Sequence, residues 1–338
     1  MAYEVIDADG HVTETWEQIA KHLEEPYRRR PLLTSFFPQD GWDRRLIGTK
    51  GDWAGDARTW EEALDAGGMS ISVLYPTLGL FMQFLRDAEW AVALSRAYNT
   101  MLYKELTSQS KRLKAVALLP LQDPPAAARE LERCVSELGF VGGMLSADAY
   151  YLLGHARFDP IYATAQRLGT PLGVHAAGSD MGVSGMEPFP KFIQAHTCSH
   201  ALAQMRQFTS MIFDGVPVRF PDLTLAFLEA GSGWVPYFLQ RMDEEWEKRG
   251  HAEAKLLTQS PTSLVRARKV YFSCEADEPL LPQAIGWVGE DRIFYASDFP
   301  HWDHSYPKSV KELSDRRDLT DQQRRRILAD NARAFYKL

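Results

Sequence analysis

The sequence predicts an α/β protein with one domain, residues 1–338, folded as a (β/α)8 TIM barrel. Eight short apolar runs alternate along the chain with eight longer amphipathic stretches, which is the pattern of strand–helix units around a parallel sheet. Side chains that can bind metal follow directly after five of the apolar runs, where a parallel barrel carries its active site. No linker or longer repeat interrupts the alternation.

Strands are predicted where short apolar runs lack a helical period and are bounded by polar, Gly or Pro residues. In chain order these strands are Tyr3–Asp7, Ser70–Tyr75, Leu113–Leu119, Val141–Leu145, Pro171–His175, Leu223–Glu229, Val270–Cys274 and Arg292–Ser297. Their lengths are ordinary for strands of a globular domain.

Helices are predicted where apolar residues recur with a helical period between the strands. They are Thr59–Ala66, Ala88–Ser108, Pro125–Leu138, Ile161–Leu168, Ala201–Phe213, Val235–Lys248, Leu280–Val288 and Asp321–Phe335. Gly139, Gly169 and Gly289 stand where the residue after a helix end is commonly glycine. Pro171 and Pro221 precede strands at points where a helix cannot continue.

Two segments are longer than a minimal barrel needs. The first runs from His11 to about Arg58 after strand one, and the second from Ala176 to about Ser199 after strand five. Because both follow the carboxyl ends of strands, we expect two long loops at the catalytic mouth.

Composition excludes several classes of protein. The net charge is −7 and the basic runs, 28–30 and 324–326, are short, so nucleic acid is not an expected partner. No run approaches 18 apolar residues and no signal peptide precedes the first strand, so we expect a cytoplasmic protein without membrane contact. Three widely spaced cysteines form neither a disulfide framework nor a CxxC zinc site.

The residues after the strands predict a metal site. Asp9 and His11 are two apart on an extended segment and therefore point the same way, while His175, Glu229 and Asp298 end strands five, six and eight. Mixed imidazole and carboxylate ligands suit Zn²⁺, Mn²⁺ or iron better than Mg²⁺ or Ca²⁺. The residues therefore indicate a divalent first-row metal ion as the cofactor.

A second group of residues extends this candidate site. His196 and His200 are four apart and share a face if their segment is helical, and we favour His200 as a further ligand. The predicted metal ligands are thus Asp9, His11, His175, His200, Glu229 and Asp298, and the predicted catalytic residues are Glu229, Asp298 and His200.

Neighbouring polar residues receive supporting roles. Glu14 is expected to support His11. Glu275 and Glu278 either line the mouth or begin the next helix, where acids suit the helix dipole. His301 is interpreted as pocket wall or as a support for the ligands, and the run 81–84 mainly as packing.

Four segments carry a family resemblance. They are VIDADGHVTE, GVHAAG, LAFLEAGSGWVPYFLQRMDEEW and YASDFPHWD, and together they resemble the amidohydrolase-related family of TIM-barrel metalloenzymes. That family includes aminocarboxymuconate-semialdehyde decarboxylase-like enzymes, and the resemblance extends over essentially the whole chain. It implies metal-dependent hydrolysis or non-oxidative decarboxylation, with Asp9, His11, His175 and Asp298 at the family's ligand positions.

Two departures from the family pattern leave the chemistry open. Decarboxylase-like members usually carry His followed by glycines after strand six, where this chain has Glu229, and the predicted fourth strand has no bridging Lys. With the carboxylate of Glu229 the set of ligands would be large enough for two metal ions. In this respect the chain resembles a branch of the same family that contains dinuclear non-haem iron monooxygenases. We favour that oxygenase narrowly over the hydrolase or decarboxylase, and the resemblance then implies one or two divalent metal ions, with iron favoured over manganese and zinc. A non-catalytic metal-binding partner subunit is a third alternative.

These alternatives differ in the expected partners. Both catalytic alternatives take a small organic substrate, and the oxygenase also takes O₂. The aromatic residues expected to give an apolar pocket are Phe81, Phe84, Tyr150, Tyr151 and Trp234. Barrels of this kind commonly form dimers, so a homodimer is compatible with the sequence, which identifies neither an interface nor the substrate.

Overall fold

Eight parallel strands form one sheet in which each strand pairs with its sequence neighbours, in a computed structural model that describes residues 3–29, 55–177 and 185–338. The strands are β1 (Ile6–Val12), β2 (Ile71–Pro76), β3 (Leu113–Leu118), β4 (Gly142–Ser146), β5 (Leu172–His175), β6 (Leu225–Leu228), β7 (Val270–Cys274) and β8 (Ile293–Tyr295). This arrangement confirms the predicted (β/α)8 barrel.

Backbone contacts bring the last strand back to the first. The Asp298 amide donates to the Asp9 carbonyl at 3.0 Å, and the His11 amide donates to the Phe299 carbonyl at 2.7 Å. Because these bonds involve the backbone of Asp9, His11 and Asp298, they fix three predicted site residues next to one another.

Helices surround the sheet. They are α1 (Trp16–Ala20), α2 (Ala57–Gly67), α3 (Ala88–Leu102), α4 (Pro124–Leu138), α5 (Asp159–Leu168), α6 (Phe192–Phe213), α7 (Val216–Arg219), α8 (Val235–Glu253), α9 (Pro261–Ala267), α10 (Leu281–Val288), α11 (Ser309–Ser314), α12 (Asp321–Arg325) and α13 (Asn331–Tyr336). Short 3-10 turns cover Tyr27–Arg29, Leu78–Phe84 and Ala156–Phe158, and π-helical turns cover Tyr103–Thr107 and Arg326–Asp330. No helix in the described ranges is long and apolar enough to cross a membrane.

Local sequence explains several helix ends. Asp56 and Asp123 accept hydrogen bonds from the third residue of α2 and of α4, as N-cap residues do. Gly139 and Gly169 end α4 and α5 with φ of 71° and 64°, the left-handed conformation that a side chain would strain. These two glycines confirm the predicted helix ends.

The first strand was predicted in the wrong place. We expected Tyr3–Asp7, but β1 is Ile6–Val12 and all of its residues are buried. The polar residues that suggested a loop are accommodated inside the barrel; Asp7, for example, accepts hydrogen bonds from the Ser72 hydroxyl at 2.6 Å and the Ser297 amide at 2.8 Å. The first mouth loop therefore begins after the strand, and its residues 30–54 lie outside the described part.

The second mouth loop is shorter than predicted. Helix α6 begins at Phe192, nine residues before the predicted start at Ala201, and residues 178–184 lie outside the described ranges. The extra turns escaped detection because their apolar residues do not mark a buried face: Ile193, for example, is 71% exposed. A helix that lies over a barrel mouth does not show the usual apolar-inward pattern.

Candidate metal centre at the barrel mouth

Three of the predicted ligands meet inside the barrel. Asp9, His11 and His175 are completely buried, and one ligand atom of each lies within 4.8 Å of the others. Nε2 of His175 is 3.2 Å from the Asp9 carboxylate, and Nε2 of His11 is 3.6 Å from it. The alternation of side chains along β1 brings Asp9 and His11 to the same interior face.

Backbone carbonyls set the orientation of both imidazoles. Nδ1 of His11 lies 2.9 Å from the Pro76 carbonyl, and Nδ1 of His175 lies 2.7 Å from the Ala176 carbonyl. A carbonyl oxygen only accepts, so the proton of each neutral ring is on Nδ1 and the lone pair is on Nε2. Both lone pairs therefore face the interior, which is the arrangement of metal-binding histidines.

A second group shares His11 with the first. Atoms of His11, Glu229, Asp298 and His301 also lie within 4.8 Å of one another. Oδ1 of Asp298 is 3.3 Å from Nε2 of His11 and 2.6 Å from Nδ1 of His301, while Oε1 of Glu229 is 3.6 Å from the same His301 atom. The predicted residues of strands one, five, six and eight are thus brought together.

Glu229 and Asp298, the two carboxylates of this second group, have a left-handed backbone conformation. Glu229 and Asp298 have φ of 58° and 53°, and among the described residues only Lys337 shares this property without being glycine. A left-handed conformation costs a non-glycine residue about 1–3 kcal/mol. Glu229 directly follows β6, where the Ser273 hydroxyl accepts from its amide at 3.1 Å, and Asp298 lies three residues beyond the end of β8. The strained turns direct both carboxylates into the mouth.

Burial and mutual charge shift the pKa values of the site. Burial raises the pKa of Glu229 to about 7, against the opposing effect of His175 and His301. Burial also raises the pKa of Asp298. For His175 burial favours the neutral ring, but the carboxylates of Asp9 and Glu229 outweigh it and raise the pKa to about 9. Such opposed shifts within one cluster are typical of functional sites.

Unsatisfied atoms show that the cluster suits a cation. Nε2 of His11 is buried and makes no hydrogen bond with any described residue. Oε2 of Glu229 and Oδ1 of Asp298 lie close to imidazole nitrogens, but those contacts lack hydrogen-bond geometry. Buried polar atoms are rarely left without partners, so a positive ion among these three atoms accounts for them well.

Helix α6 contributes the sixth predicted residue. Nε2 of His200 lies 3.9 Å from Oε2 of Glu229, whereas His196 contacts Asp303 at 3.6 Å. His200 is thus the one beside the site, although it lies outside both groups of close ligand atoms in the described chain. One turn further along α6, the Gln204 amide donates to the Val174 carbonyl at 2.8 Å and to the Leu228 carbonyl at 2.6 Å.

Gln204 was missed from the sequence, although it fixes the ends of β5 and β6 immediately before His175 and Glu229. The sequence offered no signal for this role, because the complete burial of Gln204 is visible only in the structure.

The mouth above these residues is acidic. A cavity of about 170 Å³ is lined by Asp9, His200, Glu229 and Asp298, together with Glu275 and Asp303, and no lysine or arginine lines it among the described residues. Burial and the neighbouring Glu278 raise the pKa of Glu275 to about 7. A negatively charged substrate therefore needs a bound cation to enter this cavity.

Three residues with predicted supporting roles can be placed. His301, interpreted as pocket wall or as a support for the ligands, has a ring atom in the second group, and its Nε2 lies 3.1 Å from the Thr77 hydroxyl. Glu14 accepts from the amides of Thr77 at 3.1 Å and Gly79 at 2.6 Å, so it supports the loop after β2 rather than His11 directly. Glu278 accepts from the Ser232 amide at 2.8 Å and so ties the loops after β6 and β7.

The predicted apolar pocket wall is not beside this site. Trp234 is buried against Phe208 and Phe272. Tyr150 and Tyr151 line a different cavity. Aromatic character alone did not distinguish core packing from a substrate pocket.

The chain is similar to known proteins over most of its length. The family model described as amidohydrolase matches residues 6–338. A gamma-resorcylate decarboxylase of Polaromonas sp. (strain JS666 / ATCC BAA-500) is 29% identical over 281 residues, covering 76% of this chain and 80% of the relative. Another, from Rhizobium sp. (strain MTP-10005), is 28% identical over 333 residues, covering 90% and 92%.

A solved structure shares the fold. The 5-carboxyvanillate decarboxylase of Novosphingobium aromaticivorans DSM 12444, complexed with manganese and 4-hydroxy-3-methoxy-5-nitrobenzoic acid, superposes with a TM-score of 0.76. It is 21% identical, and the match covers 100% of this chain and 97% of that one.

Proposed function

The chain belongs to the amidohydrolase family, and from that membership we propose that it is a metal-dependent, non-oxidative decarboxylase of a small aromatic carboxylate. The proposal depends above all on one observation: the imidazoles of His11 and His175 direct Nε2 toward buried carboxylates, beside a cavity that no lysine or arginine of the described chain lines. The curated relatives named above are decarboxylases, which supports this reaction.

The residues present suit a divalent ion. Asp9, His11, His175 and Asp298 would hold it, with Glu229 and His200 next to them, and the manganese of the carboxyvanillate decarboxylase supports Mn²⁺ as the first metal to test. Bound there, the ion supplies the positive charge that a substrate carboxylate needs in this acidic mouth.

The protein's own residues handle the proton. Decarboxylation breaks the bond between a ring carbon and CO₂ and forms a bond between that carbon and hydrogen, so one proton must be delivered. We assign its delivery to the carboxyl group of Asp298, which lies 2.6 Å from Nδ1 of His301. His301 in turn contacts the Thr77 hydroxyl at 3.1 Å, which holds the ring in place for returning a proton to Asp298.

Glu229 holds the position where the family resemblance led us to expect histidine. Its contacts with His175 at 3.1 Å and His301 at 3.6 Å place it between the two groups of ligand atoms. We infer that it sets the charge of both imidazoles and, with a pKa of about 7, provides a second store for the proton.

The oxygenase favoured from the sequence receives no support from these relatives. That hypothesis depended on Glu229 as an additional iron ligand and on the missing lysine. The relatives instead support the decarboxylase that the sequence had left as the alternative, and manganese rather than iron.

The test is CO₂ release from 2,6-dihydroxybenzoate and 5-carboxyvanillate by Mn²⁺-loaded protein under anaerobic conditions. We expect CO₂ and the corresponding phenol in equal amounts, without consumption of O₂. The His175→Ala variant should be inactive, and His251→Ala, at an exposed position on α8, should retain activity. Turnover that requires iron and O₂ would overturn the proposal.

A further inference from the structure

A larger cavity lies beside the barrel mouth. It measures about 450 Å³ and is formed by the loops after β2, β3 and β4. None of its lining residues lines the acidic cavity of the metal centre. Its volume is within the range of small-molecule binding sites.

Two arginines give this cavity a positive charge. Arg86 and Arg157 both line it, and neither forms an ion pair with a carboxylate in the described part of the chain. The guanidinium of Arg86 lies 5.4 Å from the centre of the Tyr150 ring, and that of Arg157 lies 3.8 Å from the centre of the Tyr151 ring. Cationic groups held against aromatic rings, with no acidic partner, suit an anionic ligand with a flat face.

The rest of the lining is mainly apolar and includes two glutamine side chains with amide atoms that make no hydrogen bond to a described residue. Gln83 is only 4% exposed, and neither its Nε2 nor its Oε1 makes a hydrogen bond with a described residue. Gln122 donates to the carbonyls of Met82 at 2.7 Å and Leu85 at 3.0 Å, while its own Oε1 has no such partner. Leu121 and Phe158 complete the apolar surface.

We propose that this cavity is a second binding site, separate from the metal centre, for a planar aromatic carboxylate. The carboxylate would lie against Arg86 and Arg157, and the ring against the tyrosines and the apolar lining. The site depends neither on the metal nor on the proposed decarboxylation.

A carboxylate fits the surroundings better than a phosphate. Ala88 of the lining is the first residue of α3, and this helix start is already capped by Asp87, whose carboxylate accepts from the Trp90 amide at 3.0 Å. A doubly charged phosphate would lie close to this carboxylate without access to free amides of a helix end. A singly charged group on an aromatic ring avoids that repulsion and uses the apolar lining.

The probe is 4-bromobenzoate, titrated calorimetrically into the Mn²⁺-loaded protein and into the His175→Ala variant. We expect binding in both, because the cavity does not need the metal. The Arg86→Gln/Arg157→Gln double variant of the His175→Ala protein should bind at least about tenfold more weakly, since two charge-assisted contacts are lost. Arg129→Gln, at an exposed position on α4, is the matched control and should leave the dissociation constant unchanged.

Three results of the titration would overturn the proposal. They are no binding to the His175→Ala protein, equal binding with and without the two arginines, and displacement of the probe by an equal concentration of inorganic phosphate. A crystal of the wild-type protein soaked in 4-bromobenzoate gives an independent test, with bromine expected in this cavity and the carboxylate toward Arg86 and Arg157. Bromine at the metal centre alone would contradict the second site without affecting the proposed function.

Discussion

Nε2 of His175 lies 3.2 Å from Oδ1 of Asp9, although 166 positions separate the two residues in the sequence. The contact joins β1 to β5 across the interior of the barrel. Because Nδ1 of His175 faces a backbone carbonyl, the ring cannot turn its other nitrogen toward Asp9 without losing that bond. The pair is therefore held ready for a cation between strands that do not touch through their backbones.

Removal of this imidazole should release the metal. We expect His175→Ala to bind Mn²⁺ more than about 100-fold more weakly, because changes outside the ligand shell alone cost about 10–100-fold in affinity. Metal content after dialysis, measured by mass spectrometry, gives the result, and His251→Ala is the control. Full retention of manganese would refute the ligand assignment.

The carboxylate at Glu229 should be replaceable by the imidazole that we expected from the family. Glu229→His keeps a group that can bind metal or hold a proton, so we expect manganese to remain and decarboxylation to fall by no more than about tenfold. The measurements are metal content and the initial rate of CO₂ release. Complete loss of both would show that the negative charge of Glu229 is itself required.

Stability should depend on pH through Glu14. Burial raises its pKa from 4.5 to about 7, so the folded protein holds a proton that the unfolded chain releases. The free energy of unfolding is therefore highest below pH 4.5 with respect to this group, and it falls by up to about 3 kcal/mol as the pH rises through 7.

Urea unfolding at several pH values compares the wild type with Glu14→Gln. Asp7 and Asp148, with pKa values raised by burial to about 6, add to the same trend in both proteins. The difference between the two proteins isolates Glu14, and it should change in sign or size between pH 5 and pH 8. A constant difference would contradict the raised pKa.

Glu278 should hold the loops after β6 and β7 in place without taking part in metal binding. Its carboxylate accepts from the amides of Ser232 at 2.8 Å and Glu275 at 2.7 Å, and Glu278→Ala leaves both donors without this acceptor. We expect a loss of about 1–3 kcal/mol in the free energy of unfolding and a lower kcat, with manganese retained. Glu247→Ala, at an exposed position on α8, should change neither.

The sequence predicted the meeting of Asp9, His11, His175, Glu229 and Asp298 because their place depends on two simple regularities. Side chains alternate along a strand, and the carboxyl ends of parallel strands meet at one mouth. Neither regularity requires knowledge of how a loop folds. That is why five residues from four separate parts of the chain could be assigned to one site.

The errors arose where tertiary contacts override local pattern. Polar residues in β1 looked like a loop because their partners, such as Ser72 and Ser297, come from distant strands. The aromatic residues Tyr150 and Tyr151 were expected beside the site, but they line a different cavity, because the sequence does not show how the loop after β4 folds. The start of α6 was missed because its exposed apolar residues do not distinguish a helix over a mouth from a loop.

At Glu229 and Asp298 the left-handed backbone lowers the stability of the fold, while the side chains are the ones to which we assign the activity. Glycine would adopt φ of 58° and 53° without strain, so replacement by glycine should make the barrel harder to unfold while removing the carboxylates to which we assign metal binding and proton transfer. Directed evolution that screens only for heat resistance would thus favour stable variants that have lost both carboxylates. A useful screen of these two positions must therefore select for CO₂ release as well as for heat resistance.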